Sequence, residues 1–438
     1  MPASDEMTSP RPARVAAIAL ATLIPLGLLV VPLACTPKLI DRFRVIKESV
    51  LRGEALIGLL LVIAIVAFSA EAFSGWTRVR EMSGNRALFA LAIGGIAWAG
   101  ISTVASTHRL LSIESFTGIA LAIALFLVTW FIAPRVNLVA LDLLVPAAAI
   151  NATLATLQEW AIWNPFDVHP DTATHLTATA LIGNPNIVGS YLALVAVILT
   201  TAATSVRGVR RYWYIVGALF AIGGVLISDT ETAVLSLAAG LGLLAIGGSW
   251  RRAVAVACAL IAIFCIALAM RVPVITDLIA LPERIRTQGL EAALSGRVAP
   301  ALVALRLTRE HPITGTGPGT YGFHFMPTRI TLAAESRGAI GLGFGVNFGE
   351  VHNDHLQVLA EAGIPGYLLF LGALALVVLT AVRSTDRSDP RWRFVRRLAI
   401  PLAGAFFVLC LAQFPLQIAV TRHLILTMAA LIAGWSRT

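Results

Sequence analysis

The sequence contains few charged residues for its length. Only 13% of its 438 residues are charged, whereas soluble globular domains carry roughly 25%. Hydrophobic residues make up 58% of the chain, and the mean hydropathy is +0.83. So little charge cannot cover the surface of a water-soluble protein of this size. The composition therefore predicts a chain that is solvated largely by lipid.

Lysine and cysteine are also scarce. Lys38 and Lys47 are the only lysines among 33 basic residues, and the net charge of +9 is spread over short clusters between apolar runs. This distribution is typical of membrane topology signals and gives no single patch for nucleic acid. The cysteines have no CxxC or zinc-ligand spacing, so neither a disulfide framework nor a zinc site is predicted. They are Cys35, Cys258, Cys265 and Cys410.

Long apolar runs recur from one end of the sequence to the other and predict twelve membrane spans. The first is too long for a typical signal peptide and is expected to stay uncleaved. One connection, from Arg271 to Glu350, is long and polar, which is typical of a functional loop. We expect an all-α integral membrane protein with an N-terminal bundle (1–270), a large loop (271–351) and a C-terminal membrane part (352–438). The predicted spans lie near 15–35, 55–73, 87–106, 116–134, 138–157, 180–203, 212–228, 232–249, 253–270, 364–382, 398–418 and 421–436.

Basic residues in the short connections predict the orientation. With both termini cytoplasmic, 18 basic residues fall inside and 7 outside, and the long loop holds the other 8. Cytoplasmic loops of membrane proteins carry the excess of arginine and lysine. We therefore expect an inner-membrane protein whose long loop is periplasmic. The first outside loop, with five basic residues, opposes this assignment unless it forms a surface helix.

Three polar motifs fall on the predicted periplasmic side. Gly183-Asn184-Pro185-Asn186 is typical of a capped helix start, and it is equally compatible with lining a polar cavity. Ser295-Gly296-Arg297 opens an amphipathic stretch in the long loop, where Ser295 is expected to cap a helix and Arg297 to lie in its first turn. Free backbone N–H groups and a guanidinium at that point suit a phosphate.

The glycine run Gly315-Thr316-Gly317-Pro318-Gly319 is interpreted as a tight turn, because it lacks the strand–helix context and lysine of a phosphate-binding loop.

The most specific motif runs from His352 to Gly366. His352 and His355 are three residues apart and would share a helical face, so a metal site is one interpretation. Glu361 lies too far away to complete it, and no other third ligand is evident. A histidine at the membrane edge beside an arginine-bearing loop is better interpreted as a proton acceptor or phosphate partner.

These motifs resemble the O-antigen ligase and polymerase superfamily. The resemblance rests on His352-Asn353, followed at the family's spacing by Gly363 and Gly366, and on Gly183-Asn184-Pro185-Asn186 with Tyr191-Leu192-Ala193-Leu194. Glu310-His311-Pro312 with its downstream Gly-Thr-Gly adds to it. The resemblance covers about residues 180–382, in the family's order.

The resemblance implies a GT-C-like architecture of about twelve spans with one large periplasmic loop. It also implies metal-independent transfer of a glycan from undecaprenyl pyrophosphate, without a cofactor, to a lipid-linked or glycan acceptor. His352 then corresponds to the essential histidine and Arg297 to a loop arginine that holds pyrophosphate. The pattern is incomplete, since the arginine that many relatives carry before Gly-Asn-Pro-Asn is absent. Other residues are therefore candidates for substrate binding, and these are Asn353, Asn184, Asn186, Arg284, Arg286, Arg306 and His355.

Three functions remain open from the sequence. An O-antigen ligase acting on lipid A-core in lipopolysaccharide biosynthesis leads narrowly over a polysaccharide repeat-unit polymerase with the same donor. A solute transporter without catalysis is the alternative from another class. A transporter needs polar groups near the middle of the membrane, and few polar residues lie deep in the predicted spans. The main exceptions are Asp142, Asn151 and Gln413.

Overall fold

The computed structural model of the chain is helical throughout its described part and contains no β-strand there. It describes residues 11–36, 41, 43–68, 86–166, 178–247, 272–336, 347–384 and 391–436, with isolated positions between 261 and 269. Eight of the described helices are long and apolar enough to cross a membrane. The predicted fold class of a helical membrane protein is confirmed to that extent. The count of twelve spans stays a prediction, and the ninth predicted span (253–270) lies largely outside the described residues.

Fifteen α-helices are described, and we number them in chain order. They are α1 (Arg11–Leu33), α2 (Arg44–Phe68), α3 (Arg86–Val104), α4 (Arg109–Ile132), α5 (Leu144–Glu159), α6 (Pro185–Ser205), α7 (Val209–Ile227), α8 (Glu231–Ile246), α9 (Pro273–Gln288), α10 (Leu290–Ala293), α11 (Val298–Glu310), α12 (Tyr321–Glu335), α13 (Asp354–Arg383), α14 (Trp392–Cys410) and α15 (Ala419–Trp435). Two short 3₁₀ helices, Ala133–Arg135 and Leu138–Leu143, join α4 to α5.

Helix α6 is the central helix of the bundle. It begins where the sequence predicts, because the Asn184 side chain caps it by accepting a hydrogen bond from the Asn186 N–H and Pro185 takes the first position. Most of α6 is buried, and α7, α8 and α14 pack around it. Small residues allow close packing: Ser236 of α8 donates to the Ala405 carbonyl of α14 at 2.8 Å, as is common between membrane helices.

The described segments that are predicted to be periplasmic contact one another at one end of the bundle, which we call the loop end. There Ser102 at the end of α3 donates to the Thr314 carbonyl at 2.7 Å, and Arg44 at the start of α2 pairs with Glu350 at 3.3 Å. At the opposite end, Trp435 donates to the Ala133 carbonyl at 2.8 Å, and Arg397 to the Thr204 carbonyl at 2.7 Å. The helix directions thus agree with the predicted alternation of spans.

The long loop forms a small helical cap on the loop end. Helices α11 and α12 pack together with the N-terminal part of α13 around an apolar cluster. Its members include Val303, Leu307, Tyr321, Phe325 and Ala360. Because this cluster includes residues of both the loop and α13, burial of apolar surface fixes the loop helices to the bundle.

The first loop predicted to be periplasmic is helical from Arg44 onward. Residues Arg44 to Arg52 form the first turns of α2, so three of the five basic residues that opposed the topology (Arg44, Lys47 and Arg52) belong to a helix start, and Lys38 and Arg42 lie outside the described residues. Lys47 is buried there and donates to the Leu181 carbonyl at 2.7 Å. This lysine therefore makes a structural contact between α2 and the segment before α6.

A buried ion-pair network joins α2 to α15. Glu54 and His423 are almost fully buried and lie 2.8 Å apart, and Arg422 pairs with Glu48. The sequence analysis missed this network, because Glu54 immediately precedes an apolar run and shows no partner nearby in sequence. Gly27 of α1 leaves the space that the Glu54 carboxylate occupies.

Candidate active site

His352 lies at the loop end, just before α13, where Asn353 caps the helix. Its φ of +56° is in the left-handed region, which is uncommon for a residue other than glycine and is typical of functional sites. The ring sits edge-on between Phe348 and Phe414, with centroid distances of 5.6 and 4.6 Å. Its Nδ1 atom is buried and has no hydrogen-bond partner in the described protein.

Burial and, to a smaller extent, the nearby Arg297 guanidinium lower the pKa of His352 to about 4. Both effects disfavour the charged imidazolium. The imidazole is therefore neutral at physiological pH and can accept a proton. Its protonation would become favourable on the approach of an anion.

Arg297 stands at the start of α11, but Ser295 does not cap this helix as predicted. Ser295 has a φ of +52° in the turn before the helix, and Arg297 itself is the capping residue, without a side-chain cap. Gly296 also has a positive φ, so both residues lie in a left-handed turn before the helix. Arg297 is half-buried, and this burial lowers its pKa, whereas the Glu231 carboxylate raises it.

Glu231, the first residue of α8, lies close to two of the candidate arginines. It forms an ion pair with Arg284 of α9 and is near enough to Arg297 to affect its pKa. Arg284 also donates to the Asp277 carbonyl at 3.1 Å, while its Nε atom is buried without a partner. Both guanidiniums lie near the Glu231 carboxylate, and the Glu231, Asp277 and Glu159 carboxylates are close enough to Asp229 to raise its pKa. A guanidinium suits the binding of an anion such as phosphate.

The other two candidate arginines lie in local ion pairs on the surface. Arg286 pairs with Glu283 at 2.9 Å, and Arg306 pairs with Glu335 at 3.2 Å and also with Glu310. These pairs are exposed, and none of their contacts involves His352 or Arg297. A role of Arg286 and Arg306 in substrate binding stays a prediction.

The two asparagines of the first motif lie next to the α7–α8 turn. The Thr230 hydroxyl, one residue before Glu231, lies 3.3 Å from both the Asn186 side-chain oxygen and the Pro185 carbonyl. Asn184 caps α6 through its side chain. The motif therefore begins a helix and also supports the turn that positions Glu231. Direct substrate contacts of Asn184 and Asn186 stay predictions.

Asn353 and Asp354 hold the 411–418 turn between α14 and α15. The Asn353 amide donates to the Leu411 carbonyl at 2.8 Å, and the Leu416 N–H donates to the Asp354 carboxylate at 2.7 Å. Phe414 lies between these two anchors and contacts His352. The two residues that follow His352 in the motif thus position Phe414, which forms one wall of the site. The sequence analysis did not identify Asp354 as a functional residue.

His355 does not share a helical face with His352. His352 precedes the helix, whereas His355 lies in its first turn and packs against Phe407 of α14 with ring centroids 4.5 Å apart. Its Nδ1 is 3.3 Å from the Tyr367 hydroxyl. Within the described ranges, no three His, Cys, Asp or Glu side chains are grouped to hold a metal ion. The proposed substrate contact of His355 remains untested.

The glycine-rich segment binds a carboxylate of the protein itself. Glu361 accepts hydrogen bonds from the Gly319 and Tyr321 backbone N–H groups at 3.0 and 3.2 Å, and the Gly317 N–H donates to its carbonyl at 3.0 Å. Gly315, Gly317 and Gly319 all have positive φ, as a tight turn requires. The interpretation as a turn rather than a phosphate-binding loop agrees with these contacts.

Gly363 explains why the motif requires glycine after the histidine. Its φ of +68° interrupts α13, and a Cβ atom there would lie 1.9 Å from the Ile313 carbonyl oxygen. The Ile364 N–H, freed by the kink, donates to the Pro312 carbonyl at 2.9 Å. The motif Glu310-His311-Pro312 and the motif His352–Gly366 therefore pack directly against each other.

Comparison with known protein families gives one match. Residues 216–371 match the family model described as O-antigen ligase. This segment extends from α7 through the long loop to the middle of α13, and it contains His352, Arg297, Glu231 and Arg284. No curated protein sequence matches the chain.

The fold defines the class as a multi-pass membrane protein, since eight described helices are candidate spans. The family match supports the O-antigen ligase and polymerase superfamily, which confirms the resemblance drawn from the motifs. Such proteins act on lipid-linked glycans, and the match gives no support to the transporter alternative.

Proposed function

We propose that the protein transfers a glycan from undecaprenyl pyrophosphate to an acceptor hydroxyl at the periplasmic face of the bacterial inner membrane. The proposal includes twelve spans, cytoplasmic termini and the three-part division at residues 270 and 351. The observation that carries it is the proximity of a neutral, buried His352 to the Arg297 cation, inside the segment that matches O-antigen ligases.

In this reaction the bond between the anomeric carbon and the pyrophosphate oxygen breaks, and a bond from the acceptor oxygen forms. Undecaprenyl pyrophosphate leaves with the electron pair, and the acceptor hydroxyl loses a proton. Arg297 and Arg284 stabilise the negative charge of the leaving group. The His352 imidazole takes the proton, and the bound pyrophosphate favours this by raising the pKa of the imidazole.

The location at the loop end also suits the donor. Its polyprenyl chain can remain among the spans while the pyrophosphate reaches the arginines of the long loop. The arginine that stabilises the leaving group and the histidine that acts as the base come from different parts of the chain, the start of α11 and the residue just before α13. Folding of the loop therefore assembles the site. This assembly requires no metal ion, because the arginines supply the positive charge.

The acceptor is proposed to be lipid A-core, which makes the protein an O-antigen ligase. A repeat-unit polymerase is the second candidate, favoured equally by a family match that covers both activities. The test is reconstitution of the purified protein in liposomes with an undecaprenyl-pyrophosphate-linked glycan.

One arm of that experiment contains lipid A-core and the other contains only further donor. We expect glycan on lipid A-core in the first arm and release of undecaprenyl pyrophosphate in the same amount. Chain growth in the second arm would establish a polymerase instead. If neither arm released undecaprenyl pyrophosphate, the proposed reaction would be wrong.

A further inference from the structure

Arg422 is a largely buried arginine that connects α2 to the 411–418 turn. Its side chain is 14% exposed and lies in the first turn of α15, where one nitrogen of the guanidinium pairs with Glu48 of α2. Another nitrogen of the same guanidinium donates to the Leu416 carbonyl at 3.2 Å. The active site described above does not include this residue.

The backbone of Leu416 is held on both sides. Its N–H donates to the Asp354 carboxylate at 2.7 Å, and its carbonyl accepts from Arg422. Phe414, two residues earlier in the turn, contacts the His352 ring edge-on at 4.6 Å. Hydrogen bonds from a charged guanidinium are stronger than those between neutral groups. The position of Phe414 against the histidine therefore depends on a side chain from α13 and on one from α15.

The first turns of α2 hold Arg422 in place. Glu48 also pairs with Arg52 at 2.9 Å, so its carboxylate lies between two guanidiniums. One turn earlier, Arg44 pairs with Glu350 at 3.3 Å, in the segment just before the proposed catalytic histidine. The same end of α2 thus contacts both segments that flank the imidazole, one directly and one through Arg422.

We infer that Arg422 is a positioning residue for the proposed reaction: it holds the 411–418 turn so that Phe414 shields the His352 imidazole from water. This inference rests on the proposed function, in which His352 takes the proton of the acceptor hydroxyl. Arg422 acts on the histidine through Leu416 and Phe414, and its partner Glu48 contributes by fixing the guanidinium.

Loosening of the turn has a measurable consequence for His352. Burial is the larger cause of its low pKa, and Arg297 is the charged group that adds to this effect. If Phe414 moves away and water reaches the ring, the pKa should rise from about 4 toward the ordinary value of 6.5. Arg297 remains unchanged in every variant below, so its contribution is constant.

The test is a pH titration by NMR of the purified full-length protein in detergent, with the isotope label confined to histidine. The chain has eight histidines, and a His352→Gln variant identifies the His352 signal by its disappearance. Arg422→Gln replaces the guanidinium by a neutral amide that is too short to bridge Glu48 and Leu416. We expect it to raise the proton affinity of His352 about tenfold, one pKa unit.

Glu48→Gln separates packing from direct electrostatics. Removal of a carboxylate would by its charge alone disfavour the imidazolium and lower the pKa of His352. Removal of the partner of Arg422 should instead loosen the turn and raise it. We expect a rise smaller than that in Arg422→Gln, and a fall would contradict the inference. This variant also decides the question if Arg422→Gln does not fold.

His423→Gln is the matched control for a general loss of stability. His423 follows Arg422 in α15 and forms a buried pair with Glu54 of α2 at 2.8 Å. The substitution should lower the melting temperature but leave the pKa of His352 unchanged. A rise as large as that in Arg422→Gln would show that any weakening between α2 and α15 exposes the histidine, and the inference would be wrong.

Phe414→Leu tests whether Arg422 acts through Phe414. It removes the ring that contacts His352 and leaves every ion pair in place. We expect the same rise in the pKa of His352 as in Arg422→Gln, and no further rise in the double variant, because the two residues act in one chain of contacts. Additive rises would overturn the inference.

Glycan transfer by the same variants distinguishes this inference from the proposed function. The acid limb of the kcat/KM profile should move up in Arg422→Gln by about one pH unit, as the NMR titration does. If the wild type transfers no glycan while the pKa changes appear as expected, the proposed function is wrong and the link from Arg422 to His352 stands. If the wild type transfers glycan and neither Arg422→Gln nor Glu48→Gln changes the pKa of His352, the inference is wrong and the proposed function stands.

Discussion

Replacing Glu361 by alanine tests how the long loop is attached to the membrane helices. The Glu361 carboxylate accepts hydrogen bonds from the buried Tyr321 N–H and from the Gly319 N–H, which is only partly buried. Leaving a buried donor without an acceptor costs about 1–3 kcal/mol, so loss of the Tyr321 bond should destabilise this contact by about that amount. The glycine-rich turn should therefore open more often than in the wild type.

Hydrogen exchange followed by mass spectrometry on a peptide covering residues 313–325 measures this opening directly. A loss of 2 kcal/mol speeds exchange through local opening roughly 30-fold. Glu335→Ala is the matched control, because Glu335 forms an exposed pair with Arg306 that contributes at most about 1 kcal/mol. Exchange in Glu361→Ala no faster than in Glu335→Ala would refute the argument that Glu361 holds the loop.

Three further predictions concern protonation, metal and topology. The pKa of His352 in the folded protein, about 4, is below its ordinary value of 6.5. The unfolded chain therefore binds more protons between these values, and the free energy of unfolding should fall as the pH drops from 6.5 through 4. A His352→Gln variant should lose this part of the pH dependence of thermal melting, and an unchanged profile would contradict the low pKa. Glycan transfer in liposomes should survive a strong chelator, and loss of transfer with rescue by a divalent cation would contradict metal independence. A reporter fused at Thr331 should be periplasmic and one at Gly208 cytoplasmic, and the same side for both would rule out the proposed topology.

Local signals in the sequence predicted the parts of the fold that depend on neighbouring residues. Asn184-Pro185 marks the start of α6 because capping and the fixed φ of proline act within one turn. The Glu310-His311-Pro312 sequence ends α11 for a similar reason. The apolar runs predicted the positions of most spans, since the composition of each run decides whether it can cross lipid.

Contacts between distant segments could not be predicted in this way. Serine is a residue type that often caps helices, but Ser295 adopts a left-handed conformation in the turn before Arg297 and does not cap α11. The role of Glu361 depends on a segment more than forty residues earlier in the chain. Glu54 and His423 pair across 369 positions, and neither has a neighbour in sequence that suggests a partner.

The catalytic roles of His352 and Arg297 stay predictions. His352 and Arg297 lie near each other, close enough for the guanidinium to lower the pKa of the imidazole. The sequence analysis did not identify Glu231, Asp354 or Phe414 as residues of the site. Each of these acts by its position against another segment, and a single sequence without its fold does not contain that information.

The most direct test of the central claim is glycan transfer by Arg297→Ala and His352→Ala in the reconstituted system, scored against the amount of folded protein. Removing a group that stabilises the leaving pyrophosphate should slow transfer by about 100- to 1000-fold, and removing the base by roughly 10²- to 10⁴-fold. Arg306→Ala, which removes an exposed arginine from local ion pairs, provides the comparison. We expect both site variants to lose nearly all transfer at normal folding. Normal transfer by both would contradict the proposed active site.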